Sequence, residues 1–267
     1  MPLVSAAILP HGTAAIPGFR EGRADFSDVT RGMKKASSLV AGRNPQTIVI
    51  VSPHNLRIRG KMTVVRTESC AGVLEEGRKR LSLAWKCDVA LADSILELAE
   101  KRGLPVVAVN FGTDSGPESR MPLDWGTMVP LWFFPRKVKV VLVTPSREIP
   151  WADLVAMGEC VGQAARRAAT GVAFVASADQ GHAHNKSGPY GFDRASEEYD
   201  ARVFSLVKSD RLNRLLGFDP AFVERAKPDS LWQMLMLHGA LKRKGLKPAY
   251  CRYSCPTYYG ILSAAYL

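Results

Sequence analysis

Short runs that are apolar at nearly every position alternate along this chain with longer stretches whose apolar residues recur at helical spacing. LVSAAIL (3–9), TIVIVS (47–52), MTVVRT (62–67), PVVAVN (105–110), KVVLVT (139–144) and GVAFVAS (171–177) read as strands. Between them, helices are expected near 27–41, with Ser27 as the cap, over 88–102 with Ile95, Leu96 and Leu98 on the apolar side, and over 151–169. A mostly helical tail from Ser196 to Arg243 and a strand-like close, YGILSAAYL, complete the pattern. Strands that are apolar throughout belong in a parallel sheet covered on both faces. The expected fold class is therefore α/β: a single domain over 1–267, its mostly parallel central sheet covered by helices on both faces. Ligands in such folds collect at the carboxyl ends of the strands.

Composition narrows the picture. The chain has 267 residues, 46% hydrophobic and 23% charged, enough for one full core. Its apolar runs fall short of a membrane span, and MPLVSAAILPHG lacks the basic start and small-residue cleavage site of a secretory leader. A cytoplasmic protein with no membrane association is expected. The five cysteines are odd in number and scattered, which reads as reduced thiols; Cys251 and Cys255 in CRYSC have no second pair to complete a metal site. A formal net charge of +11 raises the question of nucleic acid. The basic residues are dispersed and not interleaved with aromatics, so no nucleic-acid partner is expected; the charge suits anionic small molecules better.

The candidate chemistry lies in the histidines. His11 follows the first strand in ILPHG, His54 follows the second in VSPHN, and His182 and His184 follow the strand ending at Ser177. Four of the five histidines thus leave strand ends. A loop histidine capping a turn is the plain reading of any one alone. Two strand–Pro–His units together point to imidazoles aimed into one crevice, because proline fixes the turn direction before each ring. An iron site of the two-histidine, one-carboxylate kind needs one more oxygen ligand. Asp229 in AKPDSLWQ is the leading carboxylate, with a helix cap as its ordinary role, and Glu224 is the fallback. His238, on an apolar helix, reads as a core histidine. For His182 and His184, one residue apart in SADQGHAHNKSGPYGFD, metal binding, proton transfer and solvation all stay open.

These segments, with LDWGTMVPL (123–131), HGAL (238–241) and YYGILSAAY, resemble the class III extradiol ring-cleavage dioxygenases, the superfamily of the protocatechuate 4,5-dioxygenase catalytic subunit (the LigB type), which includes Memo-like relatives. The resemblance implies Fe(II) held by His11, His54 and Asp229, although the family's carboxylate is usually glutamate and its ungapped position is Pro228. It places His182 on the acid/base histidine. The implied reaction is opening of a catechol or 2-aminophenol ring with O2.

The segment after Ser177 and the Trp125 region supply substrate-binding candidates: His184 at the pocket edge, Tyr190 on the Gly-Pro-Tyr-Gly turn, Trp125 and Thr127. Trp125 stands where the family carries a histidine. Its ring nitrogen only donates and shuttles no proton at neutral pH. Either the substrate differs from a simple catechol acid, with Trp125 stacking on its ring, or activity is impaired. The alternatives are a non-catalytic Memo-like binding protein and a zinc-dependent hydrolase or lyase using the same ligands. The expected partners are a small aromatic substrate and O2, a second copy in a homodimer, and, as in some family members, a small accessory subunit.

Overall fold

The computed structural model describes residues 3–22, 24–242 and 245–267. Six strands fall where the apolar runs predict them: β1 (Leu3–Leu9), β2 (Thr47–Val51), β3 (Met62–Val65), β6 (Val106–Val109), β8 (Lys139–Thr144) and β9 (Val172–Ser177). With β10 (Pro248–Ser254) and β11 (Ile261–Tyr266) they form one eight-stranded sheet in the order β10-β11-β1-β9-β2-β8-β3-β6. Its centre, β1-β9-β2-β8, is wholly parallel. Antiparallel pairs enter on either side, at β1-β11 and at β3-β8.

The pleat divides the core. Ile48 and Ile50 of β2 face one apolar cluster, with Val29 and Met33 of α1 (Ser27–Ala41) and Met128 and Leu131 of α3 (Trp125–Trp132). Val49 and Val51 face the other, with Ile95 of α2 (Val89–Lys101), Leu154 of α4 (Trp151–Arg167) and Tyr199 of α5 (Arg194–Lys208). Each fully buried valine or isoleucine contributes about 1.5–3 kcal/mol. The expected α/β architecture, helices on both faces, is present.

The tail is less uniform than its composition suggests. Gly217, Pro220 and Pro228 divide it into α5, a 3₁₀ segment at Leu212–Gly217, α6 (Pro220–Ala226) and α7 (Leu231–Leu241). Its expected end at Arg243 lies outside the described residues. α7 is apolar on all sides and is buried accordingly. It approaches α4 through a pair of glycines: a Cβ on Gly158 would stand 1.9 Å from the Met236 carbonyl oxygen, and one on Gly239 2.0 Å from that of Val155. The start of α7, and with it Asp229, lies against the end of β9, where Gln233 donates to the Ser177 carbonyl.

Two local expectations are corrected. Ser27 is the first helical residue rather than the cap, and its hydroxyl donates to Asp25 Oδ2 at 3.0 Å. A separate small sheet, β4 (Ser69–Glu76), β5 (Lys79–Lys86) and β7 (Arg120–Pro122), was not expected. Its polar, largely exposed hairpin turns at Gly77, whose φ of 58° suits a two-residue loop. No described helix is long and apolar enough to cross a membrane.

Candidate metal centre

β9 lies between β1 and β2, and all three run parallel, so their carboxyl ends form one row. From that row emerge His11, His54 and the segment beginning at Ser177. Asp229 joins from the other side: its backbone N–H donates to the Asp179 carbonyl at 3.1 Å. Gln233, in the first turn of α7, donates through Nε2 to both the Ser177 and Asp229 carbonyls at 2.8 Å. Asp229 therefore directly precedes a helix, but its side chain caps nothing; Ser230 occupies the cap position.

His11, His54 and Asp229 converge, with ligand atoms all within 4.8 Å of one another. Asp229 Oδ2 lies 3.1 Å from His54 Nε2 and 3.7 Å from His11 Nε2. The two imidazole rings meet edge to face at 4.9 Å. Arg147, which follows β8, donates to the other oxygen, Oδ1, at 2.8 Å and so leaves Oδ2 turned to the imidazoles. Burial alone would raise the Asp229 carboxyl, but the two histidines hold it well below its ordinary pKa. His11 shows the converse: burial opposes its charge, yet Asp179 and Asp229 raise its pKa above 6.5. The cluster is built to hold positive charge, and a divalent cation fits it with two nitrogens and one oxygen.

The tautomer of His11 agrees with that role. Ser177 Oγ donates its one hydrogen to the Gly126 carbonyl at 2.5 Å, so the His11 Nδ1 contact at 2.9 Å must be N–H donating to Ser177. Nε2 is then a bare lone pair facing Asp229. Asp179 holds its loop, as expected, by accepting from the His11 backbone N–H at 3.0 Å. Its second oxygen also lies 3.3 Å from His11 Nε2, a proximity the sequence does not reveal.

A cavity of about 390 Å³ opens over the cluster, and Trp125, His182, Tyr190, Tyr258 and Tyr259 line it. His182 donates from Nδ1 to the Gln180 carbonyl at 2.8 Å, which leaves Nε2 unprotonated in the neutral ring. Burial lowers its pKa below 6.5, so it is neutral at pH 7. Tyr259 stacks on it at 5.3 Å and donates to Glu21 Oε2 at 2.6 Å. The Gly12 of PHG is required here, because a Cβ would stand 2.2 Å from the Tyr259 hydroxyl. Tyr190 meets the His182 ring edge to face at 5.8 Å. Trp125 is 46% exposed, its ring 4.4 Å from that of His54, so the indole covers a candidate ligand from the solvent side. Gly126 permits the approach: a Cβ there would stand 2.7 Å from His54 Cδ2.

Two substrate-binding candidates lie elsewhere. His184 turns away from the cavity to Asp200, Nε2 to Oδ2 at 2.8 Å, and its side chain is 9% exposed. Asp200 also accepts from the Tyr253 hydroxyl at 2.6 Å and the Gly181 N–H at 2.7 Å. Consecutive side chains on an extended segment alternate in direction, but here 182 and 184 are parted by a bend that sends one to each side. Thr127 is fully buried; its N–H donates to Asp124 at 2.7 Å, closing the start of α3 rather than meeting a ligand. Glu224 pairs with Lys227 on the exposed side of α6, away from the cluster, and Asp229 is the carboxylate that stands beside the two histidines. His238 lies half-buried on α7, outside the cluster. Arg147, Tyr258 and Tyr259 were missed; the only signal for Arg147 was its place just beyond a strand, the same cue that marks the histidines.

A family model described as the catalytic LigB subunit of aromatic ring-opening dioxygenase matches residues 5–266. Protein CA_C1420 of Clostridium acetobutylicum is 25% identical over 245 residues, which cover 90% of this chain and 52% of that protein. The chain thus spans about half the length of that relative. The crystal structure of uncharacterized protein JW3007 from Escherichia coli K12 aligns with a TM-score of 0.55 at 18% identity, over 98% of this chain and 99% of that one. At that identity the likeness is one of fold.

Proposed function

The chain belongs to the family of catalytic LigB subunits of aromatic ring-opening dioxygenases, and from that premise we propose that it is a non-haem Fe(II) extradiol dioxygenase acting on a catechol- or 2-aminophenol-type ring. The observation that carries this reading is the pairing of a converged His11/His54/Asp229 set with a separate histidine, His182, whose bare Nε2 belongs to the same cavity. A metal held only by these three residues keeps open positions, and Fe(II) there would supply coordination of both substrate heteroatoms and of O2.

The chain's own residues do the rest. His182, neutral at pH 7, accepts the proton of a substrate hydroxyl at Nε2 and, as imidazolium, returns it to the departing oxygen. Its Nδ1–H bond to Gln180 fixes the ring for both transfers. Ser177 and Arg147 keep His11 Nε2 and Asp229 Oδ2 aimed inward. Tyr258, Tyr259 and Trp125 form aromatic walls against a flat ring and limit water. Five free cysteines support a reducing, cytoplasmic setting.

Zinc suits the same donors, with hydrolysis or lyase chemistry as the consequence. A binding protein without catalysis is favoured by one observation, the exposed Trp125 standing beside His54 in place of the family histidine. Reconstitution with Fe(II) under anaerobic conditions, followed by oxygen-electrode traces with a panel of catechols and aminophenols, decides among these. Oxygen consumption tied to a ring-opened product is expected. Absence of iron binding, or iron binding with no consumption by any of the panel, refutes the proposal.

A further inference from the structure

Of the five free cysteines only Cys255 is exposed; Cys70 and Cys160 are buried, and Cys87 and Cys251 are partly so. Burial pushes the Cys251 thiol up to about 11. Cys87 is engaged with Cys70 and with Thr67, whose Oγ1 lies 3.9 Å from its sulfur. Cys255 opens the loop between β10 and β11, and in that loop the Tyr258 carbonyl accepts from the His184 N–H at 3.2 Å. The loop is thereby tied to the segment after β9 at the histidine that turns away from the metal cavity.

His184 and Asp200 have no part in the proposed ring opening. Asp200 is 2% exposed and accepts from the Gly181 N–H, the Tyr253 hydroxyl and His184 Nε2. Gly260 makes room for it, since a Cβ there would stand 1.7 Å from Asp200 Oδ2. With Nε2 committed to Asp200, the Cys255 thiol is the other side chain hydrogen-bonded to the His184 ring. Burial opposes charge on that ring, but Asp200 and Cys255 raise its pKa to about 10, so at pH 7 it is an imidazolium. The Cys255 S–H is directed at the Thr257 carbonyl at 3.7 Å, which leaves a sulfur lone pair for the imidazolium. A solvent-accessible thiol beside a cation that a buried carboxylate holds in place is the arrangement of a selective nucleophile.

We propose that Cys255 is a site of reversible thiolation, its co-reactant a small soluble disulfide. The Cys255 thiolate attacks one sulfur of the disulfide. That S–S bond breaks, a new one forms to Cys255, and the departing thiolate takes up the proton that Cys255 gave up. Cys255 is oxidised and the departing half is reduced, so no further oxidant enters. His184 holds the attacking sulfur through its imidazolium. The adduct then stands on the loop that carries Tyr258 and Tyr259, two walls of the metal cavity. The site does not depend on which reaction the metal centre performs.

The probe is oxidised glutathione, given in excess at pH 7 to the intact, reduced protein, with adducts counted by mass spectrometry and located by peptide mapping. One adduct is expected, on Cys255, removed by dithiothreitol and absent from Cys255→Ser. Cys255 should react at least about threefold faster in the native protein than in the guanidinium-denatured chain, where the neighbouring cation is gone. That comparison uses the parent and needs no variant to fold. His184→Gln, shown folded by circular dichroism, should bring the native rate down to about the denatured one. First reaction at another cysteine, no adduct at all, a native rate equal to the denatured one, or an unchanged rate in folded His184→Gln overturns the inference.

Discussion

Ser177 fixes the tautomer of His11. Its hydroxyl donates to the Gly126 carbonyl and accepts from His11 Nδ1–H, so in the neutral ring the nitrogen facing Asp229 is the unprotonated one. Ser177→Ala leaves a buried imidazole N–H without an acceptor and frees the ring to turn. Metal affinity should fall by about 10–100-fold, the usual cost of removing a partner behind a ligating histidine. Competition against a chelator of known affinity measures it; unchanged affinity would show that the serine does not orient the ligand.

Protons and metal compete for the same pair. Burial disfavours charge on His11, but Asp179 and Asp229 raise its pKa above 6.5. A raised histidine is protonated over a wider range, so loss of metal on acidification should begin above pH 6.5. Metal titrations between pH 8 and pH 6 should show affinity falling as the pH is lowered, with protons released on metal binding at the acid end. Affinity flat across it would place the metal elsewhere.

His182 divides proton transfer from metal binding. His182→Ala should retain a full equivalent of metal and lose about 10²–10⁴-fold in kcat. His11→Ala and His54→Ala should lose the metal itself. With metal kept saturating, the acidic limb of the parent's kcat should lie below pH 6.5, because burial lowers the His182 pKa. Metal content by mass spectrometry beside kcat separates the roles, and loss of metal from the His182 variant contradicts this assignment.

The central strands and both histidines of the candidate cluster were legible because fully buried parallel strands have an unbroken apolar signature, and Pro-His directly after such a strand has little freedom. The small sheet was not, since its hairpin is mostly exposed and its strands carry no apolar run. Asp229 could be proposed but not separated from a helix cap, as the two roles share one sequence pattern; the hydrogen bonds of its backbone to Asp179 and of Gln233 to Ser177 hold it at the cluster. His184 and Thr127 were misplaced for a related reason. Proximity in sequence to His182 and Trp125 suggested a shared pocket, whereas Asp200 and Asp124 draw them into the interior.

His184 is better tested as a stabilising group. Burial opposes its charge, but the Asp200 carboxylate and the Cys255 thiol raise its pKa to about 10. A histidine with a raised folded pKa contributes stability that is full below about pH 6.5 and lost as pH rises through about 10. Between those limits the parent should lose roughly 3–5 kcal/mol of unfolding free energy. Urea denaturation at pH 7 and pH 9.5 should show that loss in the parent and a much shallower one in His184→Gln. Equal slopes would mean that the pair carries no net stabilisation.

Opening of an aromatic ring with O2 at this site is read from the fate of the two oxygen atoms. The Fe(II)-reconstituted protein is given ¹⁸O₂ with each of a panel of catechols and 2-aminophenols, and any ring-opened product is analysed by mass spectrometry. Both labelled atoms should appear in one product molecule, and neither should appear when His182 is replaced by alanine. A product labelled only from H₂¹⁸O, or an unaltered ring after full iron loading, would contradict the account.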